Sequence, residues 1–270
     1  MRHPLICALL FCFLSTVLQA QPNFPYTPFL DSDYEIGATY KLFGDKVTLR
    51  SAATTDSKGL GVYPIGTSVK LLERTAETYF LYGVNSNWYK VEIAGNTGFI
   101  VGAFLASQHI VKDESNVYIN YELIKGTEEY IPYTIVVRIP VANGFNEHKY
   151  KMPNGNYAGA KLSGNRGFSE LDQIISLEFY AESCGATGGE MHLLLKNNAV
   201  IKELSTFYVS DAGVFSYEET AIFPNDPGGM QEMIIYTEIT EELNGKNIYE
   251  ISGQKSLLIW ENNKLSPMGY

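Results

Sequence analysis

Cysteine is scarce in this chain: Cys7, Cys12 and Cys184 are the only three in 270 residues. The first two lie in an apolar N-terminal run, so once that run is removed Cys184 has no partner and no intramolecular disulfide can form. Histidine is nearly as rare. His109, His148 and His192, which lie beyond that run, show neither His-x-His nor His-Glu-x-x-His spacing, so no zinc motif is present. Basic residues are outnumbered, 20 Lys and Arg against 30 Asp and Glu, for a formal net charge of −10. A surface of that sign repels nucleic acid and anionic membranes. Past residue 20 no apolar run approaches the ~20 residues that a spanning helix needs. Aromatic residues, by contrast, are plentiful: 19 Tyr and 14 Phe suit the half-buried faces of β-sheets. Without disulfides the fold must rest on its core, which a chain of this length can build.

Residues 1–20 carry the pattern of a secretory signal peptide. Arg2 and His3 form a short polar start, Leu5 to Leu14 an apolar stretch, and Leu18-Gln-Ala20 ends on a small residue, so cleavage is expected after Ala20. Ile6 and Phe11, which precede Cys7 and Cys12, stand where a lipoprotein signal wants a small residue. The expected location is therefore outside the cytoplasm, periplasmic or extracellular. Residues 21–36 contain Pro22, Pro25 and Pro28 and read as an extended proline-rich arm.

From Tyr40 to Leu105 short alternating strands are joined by Pro/Gly and Asn/Gly turns, as in a small β-barrel. In Val47-Thr-Leu-Arg50 the first and third side chains point inward, and Val69 and Leu71 alternate the same way. Ala94-Gly-Asn-Thr97 has the residues of a hairpin turn. The Val-x-Leu-Arg-Ser start, Pro64-x-Gly66-x-x-Val69, Trp88-Tyr-x-Val91 and Gly95-x-x-Gly98-Phe-Ile100 together resemble the bacterial SH3 (SH3b) family over about residues 38–107. The resemblance implies an SH3-like barrel in an exported protein, of a kind often attached to cell-wall enzymes and credited with peptidoglycan or peptide binding. The barrel is placed at residues 37–108. Within it Trp88 and the aromatic insert Tyr79, Phe80 and Tyr82 are the candidate ligand-binding residues, because an aromatic-rich loop between Thr75 and Ser86 is not needed to close the barrel.

Residues 109–116 are polar and charged and read as a linker to a C-terminal β region at 117–270. Strand patterns recur at Val117–Tyr121, Tyr133–Ile139, Ile174–Tyr180, Met191–Leu195, Ala199–Leu204 and Met233–Ile239. The end reads as a meander: strands at 247–251 and 256–260, a turn at Ser252-Gly-Gln254 and another at Asn262-Asn263. Asn146 to Arg166 is poor in apolar residues and reads as a long loop. The expected class is all-β, a small SH3-like barrel followed by a larger antiparallel sandwich or irregular sheet.

Chemistry is thinly signalled. SH3b modules commonly accompany cysteine peptidases, but Glu182-Ser-Cys184-Gly lacks the Asp-Cys-Ser-Gly helix start of those enzymes. His192 also alternates within a strand instead of standing at its end. Asp211-Ala-Gly213 and Asn225-Asp226-Pro-Gly-Gly229 offer hard oxygens to calcium, yet turn chemistry explains the same residues. The expectation is thus a non-enzymatic binding protein with no cofactor. Its barrel would contact peptidoglycan peptides or an envelope protein. The C-terminal region would add a second surface near Tyr157, Phe168 and Tyr180. The alternative is an envelope hydrolase, catalytic in its C-terminal region and targeted by the barrel.

Overall fold

The structure, a computed structural model, describes residues 34–124, 133–151, 156–181 and 183–268. The signal peptide read at 1–20 and the arm up to residue 33 lie outside the described residues. Eighteen strands and no α-helix occur among the described residues, and all strand pairing is antiparallel.

The first sheet curls into a barrel-like unit. It contains β1 (Thr39–Lys41), β2 (Val47–Arg50), β3 (Gly59–Tyr63), β4 (Ser68–Leu81), β5 (Val84–Ile93) and β6 (Asn96–Val101), in the order β1-β4-β5-β6-β2-β3. Period-two alternation sends Val47, Leu49, Val69, Leu71, Tyr89 and Val91 inward to one apolar cluster, closed by Leu42 and Leu105. Tyr34, assigned to the arm by sequence, packs edge-on against Tyr40 and Tyr89 and so belongs to this unit.

A middle sheet follows: β7 (Gln108–Lys112), β8 (Ser115–Leu123), β9 (Tyr133–Val141) and β10 (Gly144–Lys151), in the order β10-β9-β8-β7. The expected linker at 109–116 is therefore the β7–β8 hairpin. Its polar residues satisfy an edge strand, where one side faces water. The last sheet is an eight-stranded meander of β11 (Asn156–Leu162), β12 (Gln173–Tyr180), β13 (Thr187–Lys196), β14 (Ala199–Asp211), β15 (Phe215–Ile222), β16 (Met233–Leu243), β17 (Tyr249–Glu261) and β18 (Lys264–Pro267). Two further expectations change here. The long loop at 146–166 contains most of β10 and all of β11. The turn at Ser252-Gly-Gln254 is absent because β17 runs straight through, with Gly253 paired to Ile239. A side chain at Gly253 would press on the Glu238 carbonyl, so this glycine marks close strand approach.

The middle sheet is covered on both faces, which explains the near-continuous apolar run of β8 and β9. Val117, Ile119, Tyr121, Ile135, Val137 and Ile139 pack onto Ile175, Leu177, Leu193 and Leu195 of the large sheet. The opposite face, through Tyr118 and Val136, meets Phe43, Ile65, Tyr82 and Ala106 of the first unit. Polar side chains pin this second contact. Asn120 Nδ2 donates to the carbonyls of Ala103 (3.0 Å) and Leu105 (3.1 Å). Buried Arg138 donates to the Phe43 carbonyl at 2.7 Å and pairs with Glu147 at 2.7 Å. Its guanidinium lies between the rings of Phe43 (4.1 Å) and Phe145 (4.2 Å).

Candidate functional site

The large sheet curls around its own outer face, and only part of that hollow is filled. Ile174 and Leu194, on the face opposite the sandwich core, join Phe168, Leu171, Phe223, Ile234 and Trp260 in an apolar plug. Beyond the plug the same face of β12 and β13 turns polar through Ser176, Glu178, Glu190 and His192. The result is an open groove of about 920 Å³, whose lining includes Lys161, Arg166, Glu178, Glu190, His192 and Tyr208.

Glu178 and Glu190 face each other directly across β12 and β13. Two carboxylates so placed repel one another, and Lys161 from β11 answers both, at 2.5 Å from Glu178 and 3.5 Å from Glu190. Those contacts raise the lysine's pKa. Arg166 is bonded to Asp226 and lies 3.7 Å from the centre of the Phe223 ring. The same Asp226 oxygen accepts the Phe223 N–H at 2.9 Å, which closes the 223–226 turn. Glu219 accepts from the Phe207 N–H (3.0 Å) and from the Tyr217 hydroxyl (2.7 Å).

His192 forms the floor where plug and groove meet, edge-on to Phe223 at 5.0 Å. Burial, reinforced by the positive charges of Arg166 and Lys161, pulls its pKa down to about 3 against the opposing effect of Asp226. The ring is therefore neutral near pH 7, and its 3.7 Å approach to Glu190 is not an ion pair. Ser176 Oγ meets Nδ1 at 2.8 Å. Because serine and glutamate both approach Nδ1, these three groups do not form the line of nucleophile, base and orienting carboxylate that acyl transfer uses. Ser176 is also fully buried. Cys184 lies exposed in the turn between β12 and β13, with no hydrogen bond to a histidine among the described residues. Of the two weak calcium candidates, Asp211 ends β14 and Asp226 is paired with Arg166; among the described residues no group of three or more His, Cys, Asp or Glu could hold a metal ion.

In the first unit the Thr75–Ser86 insert is not a loop but the far half of the β4–β5 hairpin, extended past the barrel by bulges at Leu71/Glu73 and Arg74/Thr78. Its two-residue turn, Tyr82-Gly83, has positive φ at both positions (52° and 82°), the geometry that matches strand twist. This turn docks on the middle sheet through a 2.9 Å bond from Leu123 N–H to the Tyr82 carbonyl.

Residues 45–106 match the family model of the bacterial SH3 domain. This unit is a bacterial SH3 domain. Comparison of the whole chain with curated proteins and with solved structures returns no match. Within the bacterial SH3 unit the four aromatic candidates separate. Trp88 is only 3 % exposed, covered by Leu81, Tyr82, Val101 and Ala103. Tyr82 is half-buried and packs edge-on against Phe43 at the junction with the middle sheet. Tyr79 and Phe80 stay open at 41 % and 66 % exposure, with Tyr79 edge-on to Trp88. Of the expected second-surface residues, Tyr157 and Phe168 are core and Tyr180 lines the groove. Sequence reading set His192 within a strand but did not find Lys161, Arg166 or Glu178 beside it. For Lys161 and Glu178 the signal is a charged residue within a strand, which reads equally as a wet outer face, and Arg166 lies in the segment between β11 and β12.

Proposed function

We propose that this is an exported, non-enzymatic binding protein whose bacterial SH3 unit contacts cell-wall peptides or an envelope protein through Tyr79 and Phe80, with the large sheet supplying a second surface. The observation that carries this reading is the pair of exposed aromatic rings on a hairpin that extends beyond the SH3 barrel. Large apolar rings held open on rigid strands are suited to be contact anchors, because they gain the most from burial and lose little entropy. The match to the bacterial SH3 family and the acidic composition, which disfavours nucleic acid, support the same reading. Among the described residues no helix is long and apolar enough to cross a membrane.

The test is retention of the chain beginning at Gln21 on purified peptidoglycan. The Tyr79→Ala, Phe80→Ala double variant is expected to lose at least about tenfold in retention, about 1.4 kcal/mol, with unchanged thermal stability. Release of soluble fragments that stops in Cys184→Ala would overturn the non-enzymatic reading in favour of an envelope hydrolase. No retention would remove cell-wall peptides and leave an envelope protein as the partner.

A further inference from the structure

We propose that the groove of the large sheet binds a neutral oligosaccharide. Its volume of about 920 Å³ lies within the ~300–1,000 Å³ typical of small-ligand sites. Every charged side chain in its lining is already answered from within the protein. Lys161 serves Glu178 and Glu190, Arg166 serves Asp226, Glu219 takes the Phe207 N–H and the Tyr217 hydroxyl, and His192 is neutral. An anion would have to displace a carboxylate from Lys161 or Arg166. An anion would also meet four carboxylates against two cations. Sugar hydroxyls need break nothing. A carboxylate can accept several hydrogen bonds and a guanidinium has five N–H donors, so each pair keeps free positions for a group that both donates and accepts.

Aromatic surface completes the site. Tyr208, 42 % exposed, lines the groove. Its ring lies against Gly188, where an added Cβ would come within 2.2 Å of it. Glycine therefore leaves room for the ring against the strand, and an open ring beside fixed polar groups suits the C–H face and hydroxyl rim of a pyranose. Tyr180 adds a second, 40 % exposed ring.

This inference rests on the large sheet being a second binding surface, but not on the ligand of the SH3 unit. The experiment is saturation-transfer NMR and calorimetry on the chain beginning at Gln21. The neutral probes are cellobiose, maltose and N,N′-diacetylchitobiose, and the ionic probes are inorganic phosphate and a lysine-rich peptide. At least one neutral disaccharide should bind, with an affinity unchanged by salt because no net charge is neutralised. Tyr208→Ala should weaken it at least tenfold and Gly188→Ala, which displaces the ring without removing it, should also weaken it. The Tyr79→Ala, Phe80→Ala variant should bind the sugar normally even where it has lost peptidoglycan, so the two readings fail separately. Binding of no neutral probe, binding unaffected by Tyr208→Ala, or saturation by an ionic probe alone would overturn the proposal.

Discussion

Replacing Arg138 by alanine tests how the SH3 unit is held to the rest of the molecule. The guanidinium donates to the Phe43 carbonyl at 2.7 Å, pairs with Glu147 at 2.7 Å and lies between two phenylalanine rings. A charge-assisted hydrogen bond to a buried carbonyl contributes about 1.5–3 kcal/mol, and each ring contact about 0.5–1. Removing one partner of a fully buried pair costs about 3–5 kcal/mol. Glu147 keeps 30 % of its side chain in water, which places the loss at the low end, about 3 kcal/mol. Glu147→Ala should cost about 1 kcal/mol or less, because Arg138 retains its carbonyl and both rings. Arg138→Lys should recover less than half the loss, since an ammonium cannot fill a flat slot between rings. Urea unfolding reads these values. The two tryptophans divide the signal, Trp88 reporting on the SH3 unit and Trp260 on the plug of the large sheet. The Trp88 transition should move most, and hydrogen exchange should rise at the Leu123 amide, which bonds Tyr82 across the same junction. A loss below about 1 kcal/mol for Arg138→Ala, or equal losses for Arg138→Ala and Glu147→Ala, would refute the clamp.

The turn that touches the middle sheet leads to a second prediction. Gly83 has φ +82° and an added Cβ would sit 2.2 Å from the Leu123 carbonyl oxygen, so Gly83→Ala should cost at least about 2 kcal/mol by combining left-handed strain with a backbone clash, read by the same urea titration. His192 makes stability depend on pH. Its folded pKa of about 3 lies below the ordinary 6.5, so under pH 6.5 the unfolded chain takes up a proton that the folded chain refuses. Stability therefore falls as pH drops from 6.5 toward 3, by up to about 1.4 kcal/mol per pH unit. His192→Gln lacks this penalty, so its destabilisation measured at pH 7 should shrink by about 2 kcal/mol at pH 5. An equal difference between the two proteins at both pH values would show that His192 titrates normally.

The SH3 unit was legible because its signals are local. Val47 and Leu49, Val69 and Leu71, and the Ala94–Thr97 turn each declare a strand face or a hairpin within a few residues, and period-two alternation then places the core. Edge strands were less legible. Residues 109–116 and 146–166 look like linker and loop because an edge strand with one side in water does not need apolar alternation. Trp88 shows a further limit: alternation sets it on the outer side of β5, away from the barrel core, and only the arrival of Leu81, Tyr82 and Ala103 buries it.

By itself the sequence determined that the chain is all-β, that it carries no zinc motif, and that about residues 38–107 resemble the bacterial SH3 family. Those conclusions follow from composition and from patterns a few residues long. Tertiary structure decided which of the aromatic candidates stay open, and it converted Tyr82 from a candidate contact into part of a junction. It also brought Lys161, Arg166, Glu178, Glu190 and His192 together from β11, β12, β13 and the segment between β11 and β12. The curl of the sheet leaves part of its concave face unfilled, so that polar residues which look like a solvent face in sequence become the lining of a groove.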